Sequence, residues 1–204
     1  MFNKILVPLD GSELAEQALP PALTIAQKTS ELILLNAPMI SPALTSMVYT
    51  YDVPNLDISI EHLRAQAERY LSLQKAELKR EGLVIRTEVV PGDAASIIID
   101  TAIAEDVDLI VMSTHGYTGL DHLVMGSVTE RVLRQAPCPV LVVRDSRPIE
   151  RILITLDGSE LAESAVEPGL EMAKRFAAEV TLLRAKEPRT QPTYRMITEL
   201  ESIE

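Results

Sequence analysis

Two hydrophobic periods alternate along this chain. Short unbroken apolar runs, such as ILV at 5–7, LILL at 32–35, LIVM at 109–112 and VLVV at 140–143, are separated by longer stretches in which apolar residues recur every three or four positions. The runs predict strands at 3–9, 31–37, 83–90, 108–113 and 139–143. The helical spacing predicts a helix over 13–28 with Ser12 as its N-cap, and helices over 94–104 and 128–135. Over 57–81, Ile60, Leu63, Ala67, Tyr70, Leu71, Gln74 and Leu78 fall on one helical face, and Gly82 ends the pattern. PMISPALTSMVYTYDVPN at 38–55 follows neither period and reads as a long loop. Strands alternating with helices imply parallel strands, right-handed crossovers and helices on both faces of the sheet. Residues 1–145 therefore read as one doubly wound α/β domain.

The start of that pattern occurs twice. KILVPLDGSELAEQALPPAL begins at Lys4 and RILITLDGSELAESAVEPGL at Arg151, with the string LDGSELAE common to both. The likeness continues through the following helix and strand, so the chain carries an internal duplication. The second copy, 150–204, shows only strand, helix and strand before the tail PTYRMITELESIE, which has the pattern of a short amphipathic helix. It reads as a partial β-α-β repeat whose apolar face is too small to stand alone.

Composition narrows the picture. Hydrophobic residues make up 47% of the 204, but aromatics only 3% and Trp is absent, so the core is aliphatic. A net charge of -11 opposes a surface that grips nucleic-acid phosphates. The single cysteine, Cys138, sits between two prolines and offers neither a disulfide nor a C-x-x-C motif; it reads as a small buried hydrophobe. MFNKILVPLD has no leader pattern and no run reaches the length of a membrane span, so the expectation is a soluble cytoplasmic protein without nucleic-acid or membrane partners.

The candidate chemistry lies at 113–127, STHGYTGLDHLVMGS, between the strand DLIVM and the helical pattern SVTERVLRQA. In open α/β sheets ligands sit beyond the carboxyl ends of the strands, where helix N-termini present free N–H groups to anions. Gly116, Gly119 and Gly126 would let backbone approach a phosphate closely. A second reading uses the same residues without a ligand, because Ser127 and Glu130 have the S-x-x-E spacing of a capping box. Neither a Walker A loop nor a G-x-G-x-x-G fingerprint is present.

With KILVPLDGSE at the start and APCPVLVV at the end, the loop resembles that of the universal stress protein (UspA-like) family, and within it the ATP-binding branch. The resemblance covers 1–145 as a complete domain and 150 to about 187 as a partial one. The family motif is a glycine, two residues, a glycine, nine residues, a glycine and then Ser or Thr; Ser113, Gly116, Gly126 and Ser127 occupy those positions, with Ser113 in place of the first glycine. The resemblance implies an adenine nucleotide alpha hydrolase-like fold with five parallel strands in the order 3-2-1-4-5. Pro8, Asp10 and Gly11 would then face Met112 and Ser113 across a crevice. It further implies that Asp10 and Ala37 face the adenosine of a bound ATP, that Gly116, Gly126, Ser127, Val128 and Thr129 cradle its phosphates with Mg2+ bridging them, and that His115 lies close by. Asp10 has a simpler reading as the first residue of a turn into the helix, a reading supported by its recurrence as Asp157.

The function these residues imply is a nucleotide-responsive stress protein rather than an enzyme. No catalytic base, arginine finger or P-loop lysine is in evidence, so any hydrolysis is expected to be slow. His62 and His122 have no metal-binding partners in sequence. The alternative is a nucleotide-independent UspA-like dimerisation module. An adenylating enzyme of the ATP-pyrophosphatase type would need a Gly- and Ser-rich loop after the first strand, which PLDGSE does not supply. The resemblance also implies a homodimer formed through the edge strand 139–143.

Overall fold

The computed structural model describes residues 2–39, 56–78, 82–114, 125–145 and 147–184. They divide into two compact units, Met1–Ile149 and Glu150–Glu204.

In the first unit, β1 (Lys4–Pro8), β2 (Glu31–Asn36), β3 (Val84–Val89), β4 (Leu109–Ser113) and β5 (Val140–Val143) form one parallel sheet in the order β3-β2-β1-β4-β5. The reversal of strand order falls between β1 and β4, as the resemblance implied. β1, β2 and β4 are covered on both faces, which explains why their sequences are continuous rather than alternating. On one face Leu6, Ile33, Leu35 and Met112 pack against Ala95, Ile98 and Ala102 of α4 (Ala94–Ala104) and Val132 of α5 (Ser127–Gln135). By alternation, Ile5, Val7, Leu32 and Leu34 lie on the opposite face, and all four are fully buried. There α3 (Leu56–Glu77) lies along β3 and β2 and buries Ala67 and Leu71.

The single helix expected over 13–28 is two: α1 (Glu13–Glu16) and α2 (Leu19–Ile25). Pro20 and Pro21 carry no N–H for the carbonyls of Glu16 and Gln17, so a continuous helix would lose both bonds. The chain restarts instead at Ala18, placing both prolines in a first turn whose N–H groups have no intrahelical partners anyway. Ser12 is the N-cap as expected, its hydroxyl accepting from Ala15 N at 3.1 Å. The second helix stops at Ile25 because Ala26 turns extended, at ψ 134°.

At the amino edge of the sheet, charges bind the strands together. Arg86 pairs with Glu105 at 2.6 Å and Glu31 at 3.2 Å, Lys4 with Glu105 at 3.5 Å, and the Asp108 carboxylate accepts from the backbone N–H groups of Asn3 and Lys4. Arg86 beside it holds the Glu105 carboxyl below the usual range. These pairs are partly exposed and screened by solvent, so they add little to stability.

The second unit holds β6 (Arg151–Leu156) and β7 (Glu179–Arg184) as a two-stranded parallel sheet, with α6 (Glu160–Glu163) and α7 (Val166–Phe176) between them in sequence. The helical break recurs, with Pro168 in the first turn of α7 just as Pro21 is in that of α2. Gly169 lets α7 approach β6 so closely that a Cβ there would stand 2.6 Å from Ile154 Cδ1. The tail 192–204 lies outside the described residues. Among the described residues no helix is long and apolar enough to cross a membrane.

Candidate functional site

At the strand-order reversal the sheet opens. β1 and β4 pair only at Ile5–Leu109 and Leu6–Ile110, whereas β1 pairs with β2 along its whole length. Leu9 bonds toward β2, donating to Leu35 O at 2.8 Å, so alternation turns Pro8 toward β4, where its missing N–H ends the ladder. Asn36, also buried, donates from Nδ2 to Leu9 O at 2.8 Å and holds the end of β1 on the β2 side. Pro8 thus ends the β1–β4 ladder above Leu6, while Met112 and Ser113, both buried, continue β4 beside β5.

Beyond Pro8 the chain turns at Asp10–Gly11–Ser12. Asp10 Oδ1 accepts from Ser12 N at 2.9 Å and Ser12 Oγ at 2.6 Å, and Gly11 takes φ 89°, a value L side chains rarely adopt. The same turn recurs in the second unit, where Asp157 Oδ1 accepts from Ser159 N at 2.8 Å and Gly158 has φ 91°. Asp10 is therefore a turn-former in this structure, the simpler of its two readings from sequence. Ala37 follows the end of β2 and is half-buried.

On the β4 side the helix start is built differently from the capping box. Gly126 is the N-cap and Ser127 the first helical residue. Glu130 does not reach back; its carboxylate pairs along the helix with Arg134 at 3.0 Å. The box fails because Ser127 stands one position too late, so the cap falls on a residue without a side chain to satisfy the first N–H groups. Nor does Gly126 need a positive φ: its φ is -63°. What fixes the helix start is backbone and Thr129. Gly126 N donates to Thr114 O at 2.8 Å, Thr114 N to Val143 O at 3.0 Å, and the buried Thr129 hydroxyl to Ser113 O at 3.0 Å. The uncapped N-terminus is thereby tied to the end of β4. No sequence motif marks this use of Thr129, since the bond spans 16 residues and exists only once the fold has formed.

The structure thus brings Pro8, Asp10, Gly11 and Ala37 to one side of the reversal and Met112, Ser113, Gly126, Ser127, Val128 and Thr129 to the other. His115 and Gly116 lie outside the described residues, as do Gly119 and His122. An open depression of about 530 Å³, lined by Arg64, Glu68, Thr87 and Glu88 among others, lies against β3 at the sheet edge, away from this crevice. Its Arg64 and Glu68 pair with each other at 3.0 Å. Cys138 packs against the core, and burial first, then the charge of Asp108, pushes its thiol up to about 11, which keeps it protonated and unreactive at neutral pH.

The comparisons with known proteins agree with this architecture. The family model described as "Universal stress protein family" matches residues 1–144 and 148–204. The chain is 34% identical over 145 residues to universal stress protein MJ0531 of Methanocaldococcus jannaschii, covering 71% of this chain and 83% of that one. It is 32% identical to universal stress protein YxiE of Bacillus subtilis, covering 71% of this chain and all of that protein. The solved structure of MJ0577 of M. jannaschii superposes with a TM-score of 0.62 at 33% identity, over 70% of this chain and 96% of that one. A universal stress protein structure from Archaeoglobus fulgidus matches the whole of this chain and 74% of its own, with a TM-score of 0.72 at 21% identity, a likeness of fold. With both units matched by the family model, and its first-unit sheet in the strand order the family resemblance implied, the chain belongs to the universal stress protein family.

Proposed function

We propose that this chain is an ATP-binding universal stress protein of the cytoplasm that responds to nucleotide rather than turning it over. The observation that carries this reading is the pairing of the β1–β4 ladder's early end at Pro8 with an α5 N-terminus whose N-cap, Gly126, has no side chain with which to cap it. The first-turn N–H groups of a helix, which have no intrahelical partners, and the positive end of its dipole favour an anion there. The residues present fit a nucleotide so placed. Gly126, Ser127, Val128 and Thr129 would hold phosphates, joined by His115 and Gly116 of the adjoining loop, with Met112 and Ser113 as the wall behind them. The Asp10 turn, with Pro8, Gly11 and Ala37, would border the adenosine. Mg2+ would be held chiefly by the phosphates themselves. We assign no catalytic residue.

The test is calorimetric titration of nucleotide-stripped protein with Mg-ATP, run beside Gly126→Val. Saturable binding by the parent, weakened at least tenfold in the variant, is the expected result. A folded parent that gives no heat with ATP would overturn the reading.

A nucleotide-independent interaction module is the second reading, favoured by two features. Ser113, where the family motif has its first glycine, is buried as the last residue of β4 rather than lying free in a loop. Among the described residues β5 is bonded on one side only, to β4, leaving an aliphatic outer edge. We propose that this edge pairs with the same strand of a second copy, a contact compatible with either reading.

A further inference from the structure

The turn that carries Asp10, Gly11 and Ser12 runs directly into α1, a helix of a single turn. Its backbone bonds include Glu16 N to Ser12 O at 3.2 Å and Gln17 N to Leu14 O at 3.3 Å, and a helix of this length has no stability of its own. Apart from the Ser12 cap and the buried Ala15, its polar anchor is Glu16. Glu16 Oε1 accepts from Tyr70 Oη at 2.9 Å and from Gln74 Nε2 at 3.0 Å. Tyr70 and Gln74 stand one turn apart on α3, beside the Ala67–Leu71 stripe that fixes this helix on the sheet.

We propose that Tyr70 and Gln74 form a clamp on Glu16 that holds α1, and through it the Asp10–Ser12 turn, in the orientation that receives the adenosine half of a nucleotide. The ligand part of this inference rests on the nucleotide reading above; the clamp itself does not. Tyr70 and Gln74 are positioning residues, not contact residues. A hydrogen bond to a carboxylate is among the stronger of its kind, and here two donors converge on one oxygen, so the long helix α3 is coupled to α1 and, through it, to the turn that Asp10 and Ser12 close. The phenol suits this role, because burial, then the bond to Glu16, then the charges of Glu16 and Asp10 push its titration up, and it remains a donor throughout the working range.

The experiment uses the full chain with Tyr70→Phe, Glu16→Ala and Glu16→Gln, and reads two things. The first is affinity for Mg-ATP and for inorganic tripolyphosphate, which has phosphates but no adenosine. The second is amide exchange at residues 12–16 without ligand. Tyr70→Phe and Glu16→Ala are expected to weaken ATP binding about threefold to tenfold, leave tripolyphosphate binding unchanged, and speed exchange at 12–16 but not in β4. Glu16→Gln, which keeps an acceptor oxygen for Tyr70, should stay within about twofold of the parent. Equal weakening of ATP and tripolyphosphate, or unchanged affinity and exchange in Tyr70→Phe, overturns the clamp. A parent that binds no ATP, with variants whose exchange at 12–16 still quickens, removes the nucleotide and upholds the clamp as what holds α1 in place.

Discussion

Gly11 and Gly126 flank the crevice for different physical reasons. Gly11 is required by its backbone: at φ 89° any side chain is strained, although a Cβ there would meet nothing within 4 Å. Gly126 has φ -63°, open to every residue, so its value lies in the missing side chain at a helix start. Gly11→Ala is therefore expected to cost about 1–3 kcal/mol through strain alone, seen as a lowered urea midpoint with unchanged slope. A midpoint within error of the parent would mean that the turn relaxes freely. Both glycines were conspicuous in the sequence, but which of them needs a positive φ was not, because that depends on how the chain enters and leaves each position. The capping box misled for a related reason. Spacing alone cannot distinguish Ser127 as cap from Ser127 as first helical residue, and the choice was made by Gly126 N bonding back to Thr114 O.

The helices behind the sheet are joined by a polar contact that pH can address. Asp93 caps α4, accepting from Ser96 N at 3.0 Å, and also accepts from Arg131 of α5 at 2.9 Å. The bond to Arg131, then those to Ser96, hold its carboxyl far below the ordinary carboxylate range. A carboxyl lowered on folding contributes stability above its unfolded pKa of about 3.9 and loses it as pH falls toward the folded value. Asp93→Asn should thus be less stable than the parent at pH 7, with the gap closing as the solution is acidified below about pH 4; a gap independent of pH would show that the charge is immaterial. Element by element, the alternation of apolar runs and helical spacing was enough to place all five strands of the first unit and the bounds 94–104 of α4. The break in the first helix was not read, because Ala15, Ala18, Leu19, Ala22 and Ile25 continue an apolar stripe straight through it. Hydrophobic period reports which face is buried, whereas Pro20 and Pro21 act on backbone donors that the period does not register.

At the scale of the molecule, the order of the sheet leaves β5 outermost, with Val140, Leu141 and Val142 only partly covered. If that edge pairs two copies, Leu141→Glu places like charges together at the seam and should yield monomer in sedimentation equilibrium with the fold intact by circular dichroism; an unchanged mass would refute pairing through β5. The order also has a consequence for how the protein is made. β1 lies at the centre, yet of its two neighbours β2 follows within 36 residues while β4 ends only at Ser113. A chain emerging from the ribosome therefore carries its future central strand without its second neighbour until Ser113 has been made. In the second unit the same positions are far less covered among the described residues: Leu153 and Leu183 stand where the first copy has Leu6 and Leu35, and they are 57% and 50% exposed where their counterparts are 0% and 1%.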